Sequence, residues 1–139
     1  MNAQKIALVQ NTFDKVEPIA QQTGELFYQR LFEMDPTIRP LFKGDIKTQA
    51  LMLMTVIGLA VRGLDRPQSV QEAVNALGHR HSSYGVGYGD YNTFGAALIW
   101  ALEQSMGSDF TPEVKEAWVE AYGVLSDAMK KATKTAQSI

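Results

Sequence analysis

Apolar residues in this chain return at steps of three and four, in runs that Pro and Gly cut to helix length, while strand-like alternation is scarce. Ile6, Val9, Phe13 and Val16 mark a first helix from about Ala3 to Glu17. Pro18 suits the first turn of a second, where its missing N–H does no harm. That helix reaches about Met34, with Leu26, Phe27, Tyr28, Leu31 and Phe32 on a broad apolar face. Asp35-Pro36 opens a short helical segment ending near Phe42, and Lys43-Gly44-Asp45 is a turn. Ile46 to Arg62 is apolar almost all round and closed by Gly63, so burial on more than one side is expected. Ser69-Val70-Gln71-Glu72 reads as a capping box that starts a helix to about His81. Residues 83–90, crowded with Gly, Ser and Tyr, form a loop, and Asp90 is placed to cap a helix from Tyr91 to Met106, which Gly107 ends. Thr111-Pro112-Glu113 starts the last helix, expected to reach about Lys131. There Lys130, Lys131 and Lys134 suit the negative end of its dipole, and residues 132–139 read as a frayed tail. The expectation is one all-α domain of about six to seven helices, too unequal in length for a regular four-helix bundle.

Composition narrows the function. The 139 residues carry Lys+Arg 13 against Asp+Glu 15, and a net charge of -2 gives no pull toward nucleic acid or an anionic membrane. There is no cysteine, which excludes disulfides, thiolate metal sites, cysteine nucleophiles and C-x-x-C-H attachment of a cofactor. No stretch approaches the ~20 apolar residues of a membrane span. Met1 to Val9 has nothing like a signal-peptide core, so a cytoplasmic location is expected. Gly85, Gly87 and Gly89 follow no strand and make no dinucleotide loop. Met52, Met54 and Met129 fall at helical spacings and read as core filler.

The two histidines, His79 and His81, share one predicted helix. Its apolar stripe runs Val70, Val74, Leu77, and the next step of four lands on His81. His79, at about 100° per residue, falls roughly opposite Val70 and faces water. A metal ion held by side chains alone would need more ligands than one inward imidazole. Heme answers that objection, because its porphyrin supplies four nitrogens and the protein adds one. Spacing alone leaves open whether His81 is a ligand or a hydrogen-bonded core residue.

Four segments then stand in order: Leu26-Phe27-Tyr28, Asp35-Pro36-x-x-x-Pro40-Leu41-Phe42, Leu77-Gly78-His79-Arg80-His81 and Ala117-Trp118-x-x-Ala121-Tyr122-Gly123. In this the chain resembles the bacterial single-domain globins related to the heme domain of flavohemoglobins, and neuroglobin more distantly. The resemblance covers nearly the whole chain, to about Met129. It implies a globin fold around one non-covalent heme b, with His81 as the iron ligand and Phe42 wedged against the ring. It implies Tyr28 and Gln49 as a distal pair reaching toward a bound gas, with Leu53 above the iron. Leu41, Val86, Phe94 and Tyr122 are likewise implied as heme-side residues, Tyr122 with Trp118 on the proximal side. Arg80 borders the heme edge, paired with a propionate or solvated. From the residues alone, Tyr28 reads as a core aromatic and Gln49 as a solvated helix residue.

Tyr91 matches a tyrosine near the ligand histidine. The glutamate that joins it in flavohemoglobins has its place near Thr133, where Lys131, Ala132 and Lys134 cannot substitute. A strong electron push through His81, and with it an efficient peroxidase role, is therefore not expected. Gln49, where many globins have histidine, also predicts a five-coordinate ferrous form. The implied function is reversible binding of oxygen, with nitric oxide and carbon monoxide as other gases. The alternative is conversion of nitric oxide to nitrate. The chain ends where a flavin and nicotinamide reductase domain would begin, so that alternative calls for a separate reductase.

Overall fold

The structure is a computed structural model. It describes residues 1–41, 44–66, 68, 71 and 90–138, with side chains for all of these except 41, 90, 91 and 128–138. Five α-helices appear among the described residues: α1 (Ala3–Val16), α2 (Ala20–Met34), α3 (Ile46–Arg62), α4 (Asp90–Met106) and α5 (Pro112–Ser138). Short 3-10 turns occupy Glu17–Ile19, Pro36–Leu41 and Gly107–Asp109, and no described residue is in a strand.

Local chemistry explains most of the boundaries. Asn2 caps α1, its side chain accepting from the Lys5 N–H at 2.8 Å. Pro18 sits in the 3-10 turn that joins α1 to α2, one step earlier than a first-turn position in α2 itself. Asp45 caps α3 by accepting from the Lys47 N–H at 3.1 Å, and Gly63 donates back to the Leu59 and Ala60 carbonyls. The left-handed backbone of Gly107 (φ 57°) closes α4. Thr111 caps α5, its hydroxyl accepting from the Val114 N–H at 3.2 Å.

Several boundaries differ from the sequence reading. Gln68 and Gln71 are helical; the rest of the expected capping box at Ser69-Val70-Gln71-Glu72, most of the expected helix to His81 and nearly all of the loop after it lie outside the described residues. α4 begins at Asp90 itself rather than after it. α5 continues to Ser138, because no Gly or Pro after Gly123 stops it and Ala132 and Ala136 favour helix. Lys130, Lys131 and Lys134 are thus inside the helix rather than at its end.

α2 is the centre of the packing, with α3 on one side and α4 on the other, while α1 packs against α5. At the α2–α3 crossing Gly24 faces Ala50 so closely that a Cβ on Gly24 would lie 2.7 Å from the Ala50 carbonyl oxygen. α3 buries Ala50, Met54, Ile57, Gly58, Ala60 and Val61. It packs against both α2 and α1, yet it is not buried all round: Leu51 and Leu59 are more than half exposed, because those two helices cover one broad face. Met54 is core as expected, whereas Met52 is 39% exposed and is not.

Two buried hydroxyls, those of Thr12 and Thr23, are paired across helices. The indole N–H of Trp118 on α5 donates to the Thr12 hydroxyl on α1 at 2.9 Å, and that hydroxyl donates onward to the Leu8 carbonyl at 2.6 Å. Thr23 on α2 meets Ser105 on α4 at 2.7 Å. At the surface, hydrogen bonding to Lys5 holds the Glu120 carboxyl below its ordinary value, and Lys5, bonded to Glu120 and Glu116, is raised above its own. Because the Glu120 shift is downward, its contribution is present at neutral pH and lost as pH falls through the lowered value.

Two substitutions test this packing. Gly24→Ala forces α2 and α3 apart and is expected to cost about 1–3 kcal/mol. Thr12→Val strands the Trp118 N–H and is expected to cost about 1–3 kcal/mol. Urea unfolding at unchanged m-value measures both.

Candidate functional site

The α2–α3 crossing sets the geometry of the site. One helical turn beyond Gly24 on α2 stands Tyr28, only 4% exposed. Its ring lies edge-on to Phe27 (centroids 4.9 Å, 76°) and tilted against Phe32 (5.9 Å). Arg39, from the 3-10 turn after α2, lies over the Phe32 ring at 4.9 Å and ties that turn to the helix. From α4, Phe94 meets Phe27 edge to face at 6.4 Å and is itself buried. A phenol is therefore seated within an aromatic cluster contributed by two helices.

Across the crossing, Gln49 precedes Ala50 and Leu53 follows it by one turn. Both are half-buried. With Met52 and Val56 they form a contiguous strip on α3, at steps of three and four, that is only partly covered. The adjacent faces differ from it: Ala50, Met54 and Ile57 are sealed against α2 and its neighbours, and Leu51 and Leu59 look outward. The strip is apolar with one amide at its end, a surface suited to an apolar group. The sequence reading takes Met52 as core filler and does not single out Val56, although their helical offsets from Gln49 are the available signal.

The other residues implied by the resemblance are placed as follows. Leu41 ends the 3-10 turn and Tyr91 lies in the first turn of α4, both described in backbone only. Phe42, Arg80, His81 and Val86 lie outside the described residues. Among the described residues no group of three or more His, Cys, Asp or Glu is arranged to hold a metal ion, and both histidines fall outside them. Trp118 is fully buried against α1. Tyr122 lines a different surface: its ring lies across Gly95, whose Cβ would come 2.6 Å from it, in a groove to which Tyr28, Gln49, Leu53 and Phe94 do not contribute.

The described residues thus form a helical domain with a buried phenol on α2 and a half-covered apolar strip on α3. Comparison with known proteins identifies the family. Residues 25–129 match the globin family model, and the chain is a member of the globin family. It is 32% identical over 118 residues to a flavohemoprotein of Bacillus subtilis (strain 168), covering 80% of this chain and 30% of that protein, so it spans under a third of that relative's length. It is 25% identical over 138 residues to the neuroglobins of Danio rerio and Tetraodon nigroviridis, covering 89% of this chain and 87% of each. Globins bind heme, and the residue chemistry here fits it: the α3 strip is largely apolar, and the sequence offers two imidazoles, His79 and His81, which lie outside the described residues. No helix among the described residues is long and apolar enough to cross a membrane.

Phe94→Ala removes the ring that backs Phe27 and is expected to destabilise the fold by about 3–5 kcal/mol. Thermal and urea unfolding of the variant measure the loss.

Proposed function

We propose that this chain is an oxygen-binding globin that holds heme b without a covalent link, His81 being the protein's ligand and Tyr28 with Gln49 the polar pair on the opposite face. The observation that carries this reading is the burial of Tyr28 on α2 at the crossing with α3, the helix that bears Gln49 and Leu53. When bound, the heme supplies an iron with an open position for a diatomic gas. The chain's own residues set what happens there. The Tyr28 O–H and Gln49 N–H are hydrogen-bond donors suited to a ligand that has gained negative charge. Each bond contributes about 1 kcal/mol, and more toward a charged acceptor. Together they raise oxygen affinity by about ten- to a hundredfold, chiefly through slower release. Phe27, Phe94 and Leu53 keep the surroundings apolar, which strengthens those bonds and excludes water.

A second reading draws on the flavohemoprotein likeness, which covers most of this chain. It is the conversion of nitric oxide to nitrate, in which nitric oxide, oxygen and one electron combine at each turnover. A separate reductase is the proposed source of that electron. The same Tyr28 and Gln49 donors serve either reading.

Hemin added to the purified chain is expected to give a Soret band, and His81→Ala to weaken it severely while the helix content persists. Reduced protein is expected to be five-coordinate and to bind oxygen reversibly. Tyr28→Phe is expected to speed oxygen dissociation severalfold or more in stopped flow; an unchanged off-rate removes Tyr28 from the role. Rapid nitric oxide consumption with an added reductase, beyond that of free hemin, favours the second reading.

A further inference from the structure

Tyr28 has two ring neighbours of different kinds among the described residues. Phe27, edge-on to it at 4.9 Å, is 4% exposed and is backed in turn by Phe94 at 6.4 Å. That side is fixed from within, by the packing of α2 against α4. Phe32, one turn further along α2, lies tilted at 33° to the Tyr28 ring with centroids 5.9 Å apart, and it is only half-buried. A ring at the surface has room to turn, and its neighbour turns with it. What the structure places over Phe32 is a charge: the guanidinium of Arg39, itself exposed, lies 4.9 Å from the ring centroid. That is inside the range of about 6 Å over which a cation is held to an aromatic face.

Arg39 does not reach the ring from a loose loop. Asp35 folds the chain back after α2: its carboxylate accepts from the Thr37 N–H at 3.1 Å and from the Thr37 hydroxyl, and its carbonyl accepts from the Ile38 N–H at 3.1 Å. Ile38 is 2% exposed and anchors the turn in the core, while Pro36 and Pro40 fix φ on either side of it. The guanidinium is therefore placed by the turn and not by α2, so Phe32 is braced by an element other than the helix that carries it.

We propose that Phe32 and Arg39 are positioning residues, through which the turn after α2 holds the Tyr28 hydroxyl in the orientation from which it bonds a gas at the heme. The inference rests on the reading of Tyr28 as a ligand-bonding residue and adds the residues that aim it. The hydroxyl is at the far end of its ring, so a small rotation of the ring displaces it most. A hydrogen bond weakens steeply once its angle departs from the linear. Neither Phe32 nor Arg39 needs to touch the gas or the heme. A change at an exposed arginine is carried inward, ring to ring, and read as a faster release. The strength of an exposed contact between a cation and a ring sets the size of that effect at about two- to fivefold.

Oxygen release from the heme-loaded chain in stopped flow, with NMR of its carbon monoxide form carrying ring-labelled tyrosine, tests this. Arg39→Ala and Phe32→Leu are each expected to speed release about two- to fivefold and to shift the Tyr28 ring signals, which are recognised by their loss in Tyr28→Phe. Arg39→Lys keeps a cation within reach of the ring and is expected to stay closer to the native rate than Arg39→Ala. In a Tyr28→Phe background Arg39→Ala is expected to add nothing, because residues acting through one hydroxyl are not additive. Circular dichroism and thermal midpoints report whether each variant keeps its fold. The same acceleration with and without the Tyr28 hydroxyl overturns the proposal, since Arg39 then acts through the fold at large. So do Tyr28 signals that Arg39→Ala leaves in place, or a lysine no better than alanine; either result leaves the reading of Tyr28 standing. If Tyr28→Phe itself leaves release unchanged, that reading fails first and the proposal falls with it.

Discussion

The close approach of α2 and α3 at Gly24 and Ala50 is the contact on which the rest of the described structure depends. Side chains of ordinary size would hold two helices about 8–10 Å apart. With glycine on one side and alanine on the other, backbone meets side-chain methyl, and the helices cross tightly enough to lock their relative rotation. That rotation turns Tyr28 inward on one helix and sets the strip of Gln49, Met52, Leu53 and Val56 at the margin of the other. It also lets α4 reach α2 from the opposite side, where Phe94 meets Phe27.

Burial and polarity are divided accordingly. The side of the molecule made by α1 and α5 is sealed around Trp118, whose indole N–H would be costly to bury without the Thr12 acceptor. The α3 strip is left partly open and nearly free of polar groups, which is what an inserted apolar cofactor requires. Tyr28 is the one phenol in the aromatic cluster among the described residues.

Much of this was readable from residue spacing. The helical steps, the caps at Asp45 and Thr111, and the stops at Gly63 and Gly107 are local chemistry, decided within a few residues of each boundary. They gave the all-helical architecture, and the order of four short segments gave the globin resemblance that the family match bears out. Other features depend on neighbours distant in sequence. Met52 and Met54 look alike in the chain, yet one is largely exposed and the other sealed, because only contact with α2 distinguishes the faces of α3. The same holds for Leu51 and Leu59, which periodicity alone placed in a buried helix. The end of α5 was misjudged because lysines were read as a helix terminus, while uninterrupted helix formers carried it further.

The sequence by itself determined that this chain makes helices, roughly where they start and stop, and that it lacks the thiols, charge and apolar spans of other protein classes. The resemblance it carries named Tyr28, Gln49 and His81, while the residues alone read Tyr28 as a core aromatic and Gln49 as a solvated helix residue. Only the tertiary structure decided that Tyr28 is enclosed, that the Gln49 strip is half-covered, and that Tyr122 lies across Gly95 in a separate groove. The physical reason is that helix formation is governed by neighbours three and four residues apart, whereas burial is governed by what another helix brings against a face. Gly24 shows the difference: in the sequence it is a weak point in a helix, and in the fold it is the residue that lets two helices meet.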